Sequence, residues 1–225
     1  ESLRLESARI RRGAGQLVVV AEASFANRWL APRLSRFCER AADIDLRIAP
    51  HPGLPELGPE VDIVIRRDMP ASPGLYRLVL PGERQFPVFS PAYLRQRGQD
   101  WKNDRLLRSP EGGEEAWERW FSHFGERPSL SFGPMFQFTY MALAAAAEGR
   151  GAALGSSLLV AEDLRAGRLT APDAPSTEVK RRYVAACPVE AAHSSRLKAF
   201  FGWMRDELER DRAEFPGMFP EDAAL

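Results

Sequence analysis

The sequence predicts an α/β protein built from two small lobes. Its 225 residues exceed a single small domain, and short β-branched runs alternate with amphipathic helix patterns. Such alternation is typical of parallel sheets covered by helices. No apolar run approaches the ~20 residues that a membrane-spanning helix needs, and the charged share of 28% is ordinary for a globular protein.

The first third of the chain predicts a strand, a helix and two further strands. Residues 16–21 form a short β-branched run, and residues 44–48 and 61–65 give two more strand patterns. Between the first two strands, apolar residues at helical spacing predict a helix after a short lead-in turn at residues 25–31. Four prolines between positions 50 and 59 exclude a long helix there.

A second α/β unit follows. Residues 75–80 and 85–90 are expected to be extended, and Pro91 predicts a helix that begins after a Ser90 cap. The remaining patterns predict strands at 106–107, 130–132, 152–154 and 183–187, and helices at 114–124, 140–148 and 160–166, with Gly167 ending the last of these. The final helix carries one apolar stripe: Leu197, Phe200, Phe201, Met204 and Leu208.

Composition excludes several classes of function. Lys plus Arg equals Asp plus Glu at 31 each, whereas a self-sufficient nucleic-acid binder usually has a basic excess. Cys38 and Cys187 lie outside any CxxC or Cys/His cluster, so we expect no disulfide framework, no metal site and two small buried residues. No cofactor motif is present. The charged N-terminus lacks a secretion signal, which favours a cytoplasmic location.

Two strand-to-helix turns are the most informative candidates for a site. Ser24 and Thr139 each place a hydroxyl at the expected start of a helix. A helix N-terminus carries unpaired N–H groups and partial positive charge, which suits a carboxylate or phosphate. Ligands also collect at the carboxyl ends of parallel strands. The alternative is that both residues simply cap their own helices.

Arginine and tyrosine side chains offer a second set of candidates. Arg66 and Arg67 follow a predicted strand and suit a carboxylate, or alternatively pair with Asp68 and Glu60 at the surface. Tyr183 begins a late strand, where it either directs its hydroxyl to a ligand or is a half-buried tyrosine with a wet tip.

Signatures of catalysis are absent from the sequence. It contains no GxSxG, HExxH, Walker A or complete GxGxxG motif, and we interpret its three histidines as surface or capping residues: His51, His123 and His193. An enzyme is therefore disfavoured.

Several segments resemble one bacterial family. Residues 23–37, ASFANRWLAPRLSRF, followed by DIDLR at 43–47, resemble the start of the effector domain in LysR-type transcriptional regulators, nearest to the glycine-cleavage activator and β-lactamase regulator branch. Residues 61–66 resemble its third strand and residues 86–94 its first crossover. Further matches are residues 145–154 and 163–169 in the second lobe, and Phe200 and Trp203 in the closing helix. The likeness extends over roughly residues 3 to 210 in the expected order.

The resemblance implies an α/β fold like the type 2 periplasmic binding proteins, with two Rossmann-like lobes joined by two crossover strands and an effector in the cleft between them. It places the end of a linker helix at 1–15, lobe I at 16–88 completed by 189–213, lobe II at 89–188, and a tail at 214–225. The implied effector-binding residues are Ser24, Phe25, Arg66, Arg67, Phe138, Thr139, Ser156 and Tyr183. Prolines between His51 and Glu60 depart from the family pattern, where a helix is typical.

The function implied is that of the effector-sensing domain of a DNA-binding regulator. A small anionic metabolite is the expected effector, a homodimer or homotetramer the expected assembly, and a winged helix-turn-helix ahead of this region the expected contact with DNA. No membrane partner is implied. Two alternatives remain: a periplasmic solute receptor of the same fold, and an enzyme on this scaffold, which requires an acid/base pair in the cleft.

Overall fold

A computed structural model gives the architecture, and it describes residues 15–52, 56–57, 60–126, 129–172 and 176–220. In chain order the strands are β1 (Gln16–Glu22), β2 (Asp45–His51), β3 (Ile63–Arg67), β4 (Leu75–Val79), β5 (Glu83–Val88), β6 (Arg105–Arg108), β7 (Ser131–Met135), β8 (Ala153–Ser156), β9 (Thr177–Val179) and β10 (Tyr183–Pro188).

The helices alternate with these strands. The first helical segment, α1, has four consecutive pieces: Ala23–Phe25, Ala26–Leu30, Ala31–Arg33 and Leu34–Arg40. The others are α2 (Pro91–Arg97), α3 (Glu114–His123), α4 (Thr139–Ala147), α5 (Ser157–Arg165) and α6 (Ser195–Glu214), with short 3₁₀ turns at Gly98–Asn103 and Pro216–Met218. The predicted Ser90 cap is confirmed, since its hydroxyl accepts a hydrogen bond from the Tyr93 N–H at 3.2 Å.

Of the described residues, the first unit comprises those up to Gly82 together with Arg181–Pro216. Its sheet has the order β2-β1-β3-β10-β4. Strand β1 is parallel to β2 and β3, whereas β10 runs antiparallel to β3 and β4. The predicted apolar stripe of α6 is confirmed as buried, so this helix packs its apolar face into the core of the first unit.

The second unit comprises Glu83–Lys180 and Gly217–Pro220. Its strands form an antiparallel group, β8-β5-β9, and a parallel pair, β6-β7. A parallel bridge between Leu106 and Ala152 places β6 next to β8. Its core is aromatic, with these members fully or almost fully buried: Phe89, Tyr93, Trp101, Trp117, Trp120 and Phe121.

Three expectations are wrong. The sheets are mixed rather than parallel, because the two crossover strands β5 and β10 each run antiparallel to their neighbours. The expected lobe boundaries 16–88 and 89–188 assign each crossover strand to the wrong lobe: β5 pairs with β8 and β9, and β10 pairs with β3 and β4. Cys38 is exposed, although Cys187 is buried as expected.

The two ends of the chain were also the subject of predictions. The expected linker helix at 1–15 lies outside the described residues except for Gly15, which is in a turn. In the expected tail at 214–225, the side chain of Phe219 is buried and the Met218 carbonyl accepts a hydrogen bond from the Ser157 hydroxyl. Residues 217–220 therefore belong to the packed structure of the second unit. Among the described residues, no helix combines the length and apolar character needed to cross a membrane.

Candidate functional site

The first candidate edge lies where parallel strands β1 and β3 end side by side in the first unit. The backbone N–H of Arg67, the last residue of β3, donates to Oε1 of Glu22 at 2.8 Å. Strand β10 begins at the same edge, with Tyr183 paired opposite Arg67. Glu22 was not among the predicted residues, because a carboxylate that accepts from a backbone N–H 45 positions away leaves no local signature.

Arg67 is held against Tyr183 rather than in solution. Its guanidinium carbon lies 3.9 Å from the centroid of the Tyr183 ring, and its Nη1 donates to the Arg181 carbonyl at 2.6 Å. Both side chains are buried. Asp68, a surface partner in the alternative interpretation, pairs with Arg181 at 2.5 Å. Tyr183 is likewise fully buried rather than half-buried.

Arg66 does not share the position of Arg67. Successive residues of a strand direct their side chains to opposite faces of the sheet, so the two arginines of β3 point apart. Arg66 is half-buried, whereas Arg67 is 4% exposed. The structure therefore separates two residues that the sequence suggested as a single cationic pair.

Ser24 and Phe25 form the first turn of α1, directly after β1. The helix begins at Ala23 and its N-cap position is Glu22, so Ser24 lies inside the first turn and not at the N-cap, as the capping interpretation required. Phe25 is fully buried, with its ring 5.1 Å from the Trp29 ring and 4.6 Å from the Tyr183 ring. Ser24 is the half-buried polar residue of this turn.

The second candidate edge belongs to the second unit and centres on Thr139. This buried residue begins α4, and its hydroxyl lies 3.4 Å from the Ser109 hydroxyl. The capping position is Phe138, without a side-chain capping bond, so Thr139 is not an N-cap either. Ser109 directly follows β6 and also accepts from the Gly112 N–H at 3.2 Å. Ser109 was not among the predicted residues, because the sequence SPEGG at 109–113 is typical of a turn.

Ser156 lies at the junction of β8 and α5, 1% exposed. Its hydroxyl has no hydrogen-bond partner within the described part of the chain. The adjacent N-terminus of α5 is already met by a carboxylate of the protein, since the Leu158 N–H donates to Glu83 Oε1 at 3.3 Å and Glu83 is buried. The start of α5 therefore already has an anionic partner within the protein.

Phe138 stacks on Tyr140 with the ring centroids 5.5 Å apart and the planes within 17°. Both rings are half-buried, and Met135 and Met141 nearby in sequence are exposed. This apolar surface stands beside the buried hydroxyls of Thr139 and Ser109.

Metal-ligating residue types do not cluster into a candidate metal site in the described ranges. No group of three or more His, Cys, Asp or Glu there is arranged to hold a metal ion. The three histidines are exposed, as expected. Burial raises the pKa of the Cys187 thiol to about 11, and Glu190 and Asp62 add to this shift, so the thiol is protonated near neutral pH.

Comparisons with known protein sequences identify a family for this chain. Residues 11–209 match the family described as LysR substrate binding domain. The chain is 29% identical over 212 residues to the glycine cleavage system transcriptional activator of Escherichia coli (strain K12), covering 91% of this chain and 69% of that protein. It is also 29% identical over 218 residues to the regulator TrpI of Pseudomonas aeruginosa, covering 92% of this chain and 73% of that protein.

Solved structures give the same result. The effector domain of the transcriptional regulator AmpR of Pseudomonas aeruginosa superposes with a TM-score of 0.65 at 28% identity, covering 90% of this chain and 97% of that one. The regulatory domain of CrgA, a LysR-type regulator from Neisseria meningitidis, shares the fold with a TM-score of 0.68, covering 87% and 100% of the two chains. The chain therefore belongs to the LysR-type transcriptional regulators, as their substrate-binding or effector-binding domain.

Proposed function

We propose that this domain binds a small anionic effector through residues at the carboxyl ends of its parallel strands. The observation that carries the proposal is the buried guanidinium of Arg67, held on the Tyr183 ring at the end of β3. A fixed guanidinium recognises planar carboxylates more selectively than a flexible ammonium does. Arg66 adds a second, half-buried positive charge to the same strand end.

The helix starts support an anionic ligand as well. Ser24 lies in the first turn of α1 and Thr139 in the first turn of α4. A hydroxyl in the first turn of a helix lies beside the unpaired backbone N–H groups of that turn, so both kinds of donor can contact one ligand anion. The positive end of each helix dipole adds to the attraction. Phe138 supplies an apolar surface for the body of the effector.

The regulatory role follows from family membership. We propose that the full-length protein is not an enzyme, lies in the cytoplasm, assembles as a homodimer or homotetramer, and contacts DNA through an N-terminal winged helix-turn-helix. The effector shifts the equilibrium between two arrangements of this assembly by its differential affinity for them. The two matched bacterial regulators are transcriptional regulators by name, which supports the proposal.

A thermal-shift screen tests the proposed ligand class. A ligand that binds only the folded state raises the melting temperature. Amino acids, aromatic acids and cell-wall peptides form the panel, each with its neutral amide as a matched compound. We expect at least one anion, and not its amide, to raise the melting temperature of the wild type, and Arg67→Gln to reduce the shift relative to the variant's own unliganded melting temperature. Arg47→Gln, a change at an exposed arginine on β2, is the control. Equal shifts with acid and amide contradict an anionic effector.

A further inference from the structure

A widened helical turn lies directly behind the first candidate edge. Residues Ala26–Leu30 of α1 form a π-type turn, closed by a hydrogen bond from the Ala31 N–H to the Ala26 carbonyl. Single π turns within α-helices are rare and occur frequently at functional sites. This turn immediately follows Ser24 and Phe25, so its geometry determines where these two residues lie.

Hydrogen bonds to α6, the last helix of the first unit, fix this turn in place. Asp211 of α6 accepts a hydrogen bond from the indole Nε1 of Trp29 at 2.9 Å. Arg33 Nη2 donates to both oxygens of Asp211 at 2.7 and 2.8 Å, and Arg33 Nη1 donates to the Trp29 carbonyl at 2.9 Å. Asp211, Arg33 and Trp29 are all buried. The carboxylate thus fixes both the side chain and, through Arg33, the backbone of Trp29.

A continuous stack leads from this anchor to the candidate edge. The Trp29 ring stacks on Phe25, the Phe25 ring contacts Tyr183, and the Tyr183 ring carries the guanidinium of Arg67. Close packing of buried rings transmits a displacement, because there is little free volume to absorb it. Movement at Asp211 therefore reaches Arg67 through three side chains.

We infer that Asp211 is a positioning residue for the effector site: with Arg33 and Trp29 it sets the place of the Phe25, Tyr183 and Arg67 stack. The meaning of this inference for effector binding rests on the proposed function, but the coupling itself is a property of the unliganded protein. It is tested without any effector, so its failure is distinct from a failure of the proposed function.

The test is fluorine NMR of the chain labelled with 3-fluorotyrosine. The chain has four tyrosines, and Tyr183→Phe assigns the Tyr183 resonance. We expect Asp211→Asn to shift this resonance by more than its linewidth. Two controls are expected to leave it in place. Asp206→Asn makes the same change at an exposed ion pair on the same helix. Leu17→Ala lowers stability at the start of β1, away from the stack.

A second variant keeps the test informative where Asp211→Asn destabilises the fold. Replacing a buried ion pair by apolar residues of similar volume often preserves stability. The double variant Arg33→Met, Asp211→Leu leaves neither charge of the pair buried alone, so it is expected to be more stable than Asp211→Ala and still to displace the Tyr183 resonance. An unmoved Tyr183 resonance in a folded Asp211→Asn protein or in the folded double variant overturns the inference.

Discussion

The guanidinium of Arg67 stacks on the ring of Tyr183, its directly opposed neighbour across β3 and β10. This contact holds the Arg67 cation at the end of β3, where β3 pairs with the start of β10. It also connects the candidate edge to the Arg181 carbonyl, since Nη1 of Arg67 donates to that oxygen. Arg67 accordingly contributes to the fold as well as to the proposed recognition of anions.

Replacing Arg67 by Gln is expected to lower the free energy of unfolding by about 1–2 kcal/mol, the combined scale of a buried cation–π contact and one hydrogen bond. Urea unfolding measures the change. Arg47→Gln, at a largely exposed arginine, is expected to change stability by less than about 0.5 kcal/mol. Equal stability of the two variants argues against the stack as a stabilising contact.

Ser24 and Ser90 provide a matched pair for the capping question. Ser90 is the N-cap of α2 and accepts from the Tyr93 N–H, whereas Ser24 is not at the N-cap of its helix but at the second helical position. We expect Ser90→Ala to cost about 1 kcal/mol and Ser24→Ala less than about half of that, measured by chemical unfolding. A cost for Ser24→Ala as large as that for Ser90→Ala restores the capping interpretation.

The buried anchor beneath α1 has a large expected effect on stability. Removing one partner of a buried ion pair costs about 3–5 kcal/mol, because the other charge stays buried. Asp211→Ala removes the partner of the buried Arg33 charge. The nearest remaining carboxylate that pairs with Arg33 is that of Glu207, at 3.8 Å. Asp206→Ala breaks an exposed pair and is expected to cost under about 1 kcal/mol. Similar unfolding midpoints for the two variants contradict this assignment.

Cys187 gives a pH-dependent prediction. Its pKa in the folded protein is raised from 9.0 to about 11, so the folded state holds the thiol proton more tightly than the unfolded state does. The resulting contribution to stability is complete below pH 9 and is lost as the pH rises through about 11. The wild type is expected to lose more unfolding free energy than Cys187→Ala between pH 8 and pH 11. Parallel pH profiles of the two proteins refute the shift.

Local patterns in the sequence predicted most of the elements, because apolar periodicity and caps act within a few residues. The Ser90 cap and the apolar stripe of α6 are examples. The polar strand β9 was missed because residues 177–179 carry no apolar run. Strand β10 was assigned to the wrong lobe because chain order does not reveal hydrogen-bond partners. The family was predicted from motifs spread along most of the chain, and family membership favours a regulator over a solute receptor.

The candidate site was only partly predictable, for the same physical reason. The sequence placed Ser24 and Thr139 at helix starts because this is a local feature, and their contact with an effector stays a prediction. Glu22, Ser109 and Glu83 were missed because their roles depend on groups distant in sequence, such as the Leu158 N–H that lies 75 positions after Glu83. The separation of Arg66 from Arg67 follows from strand alternation alone and was within reach of the sequence.

Isothermal titration of the anion selected by the thermal screen tests the central claim most directly, with wild type, Ser24→Ala and Thr139→Ala compared under one condition. The account predicts that each substitution weakens binding by at least roughly tenfold, because a hydrogen bond to a charged ligand group contributes about 1.5–3 kcal/mol. It also predicts that Ser90→Ala, which changes a true helix cap, leaves the affinity intact. Unchanged affinity in both Ser24→Ala and Thr139→Ala contradicts the assignment of the site.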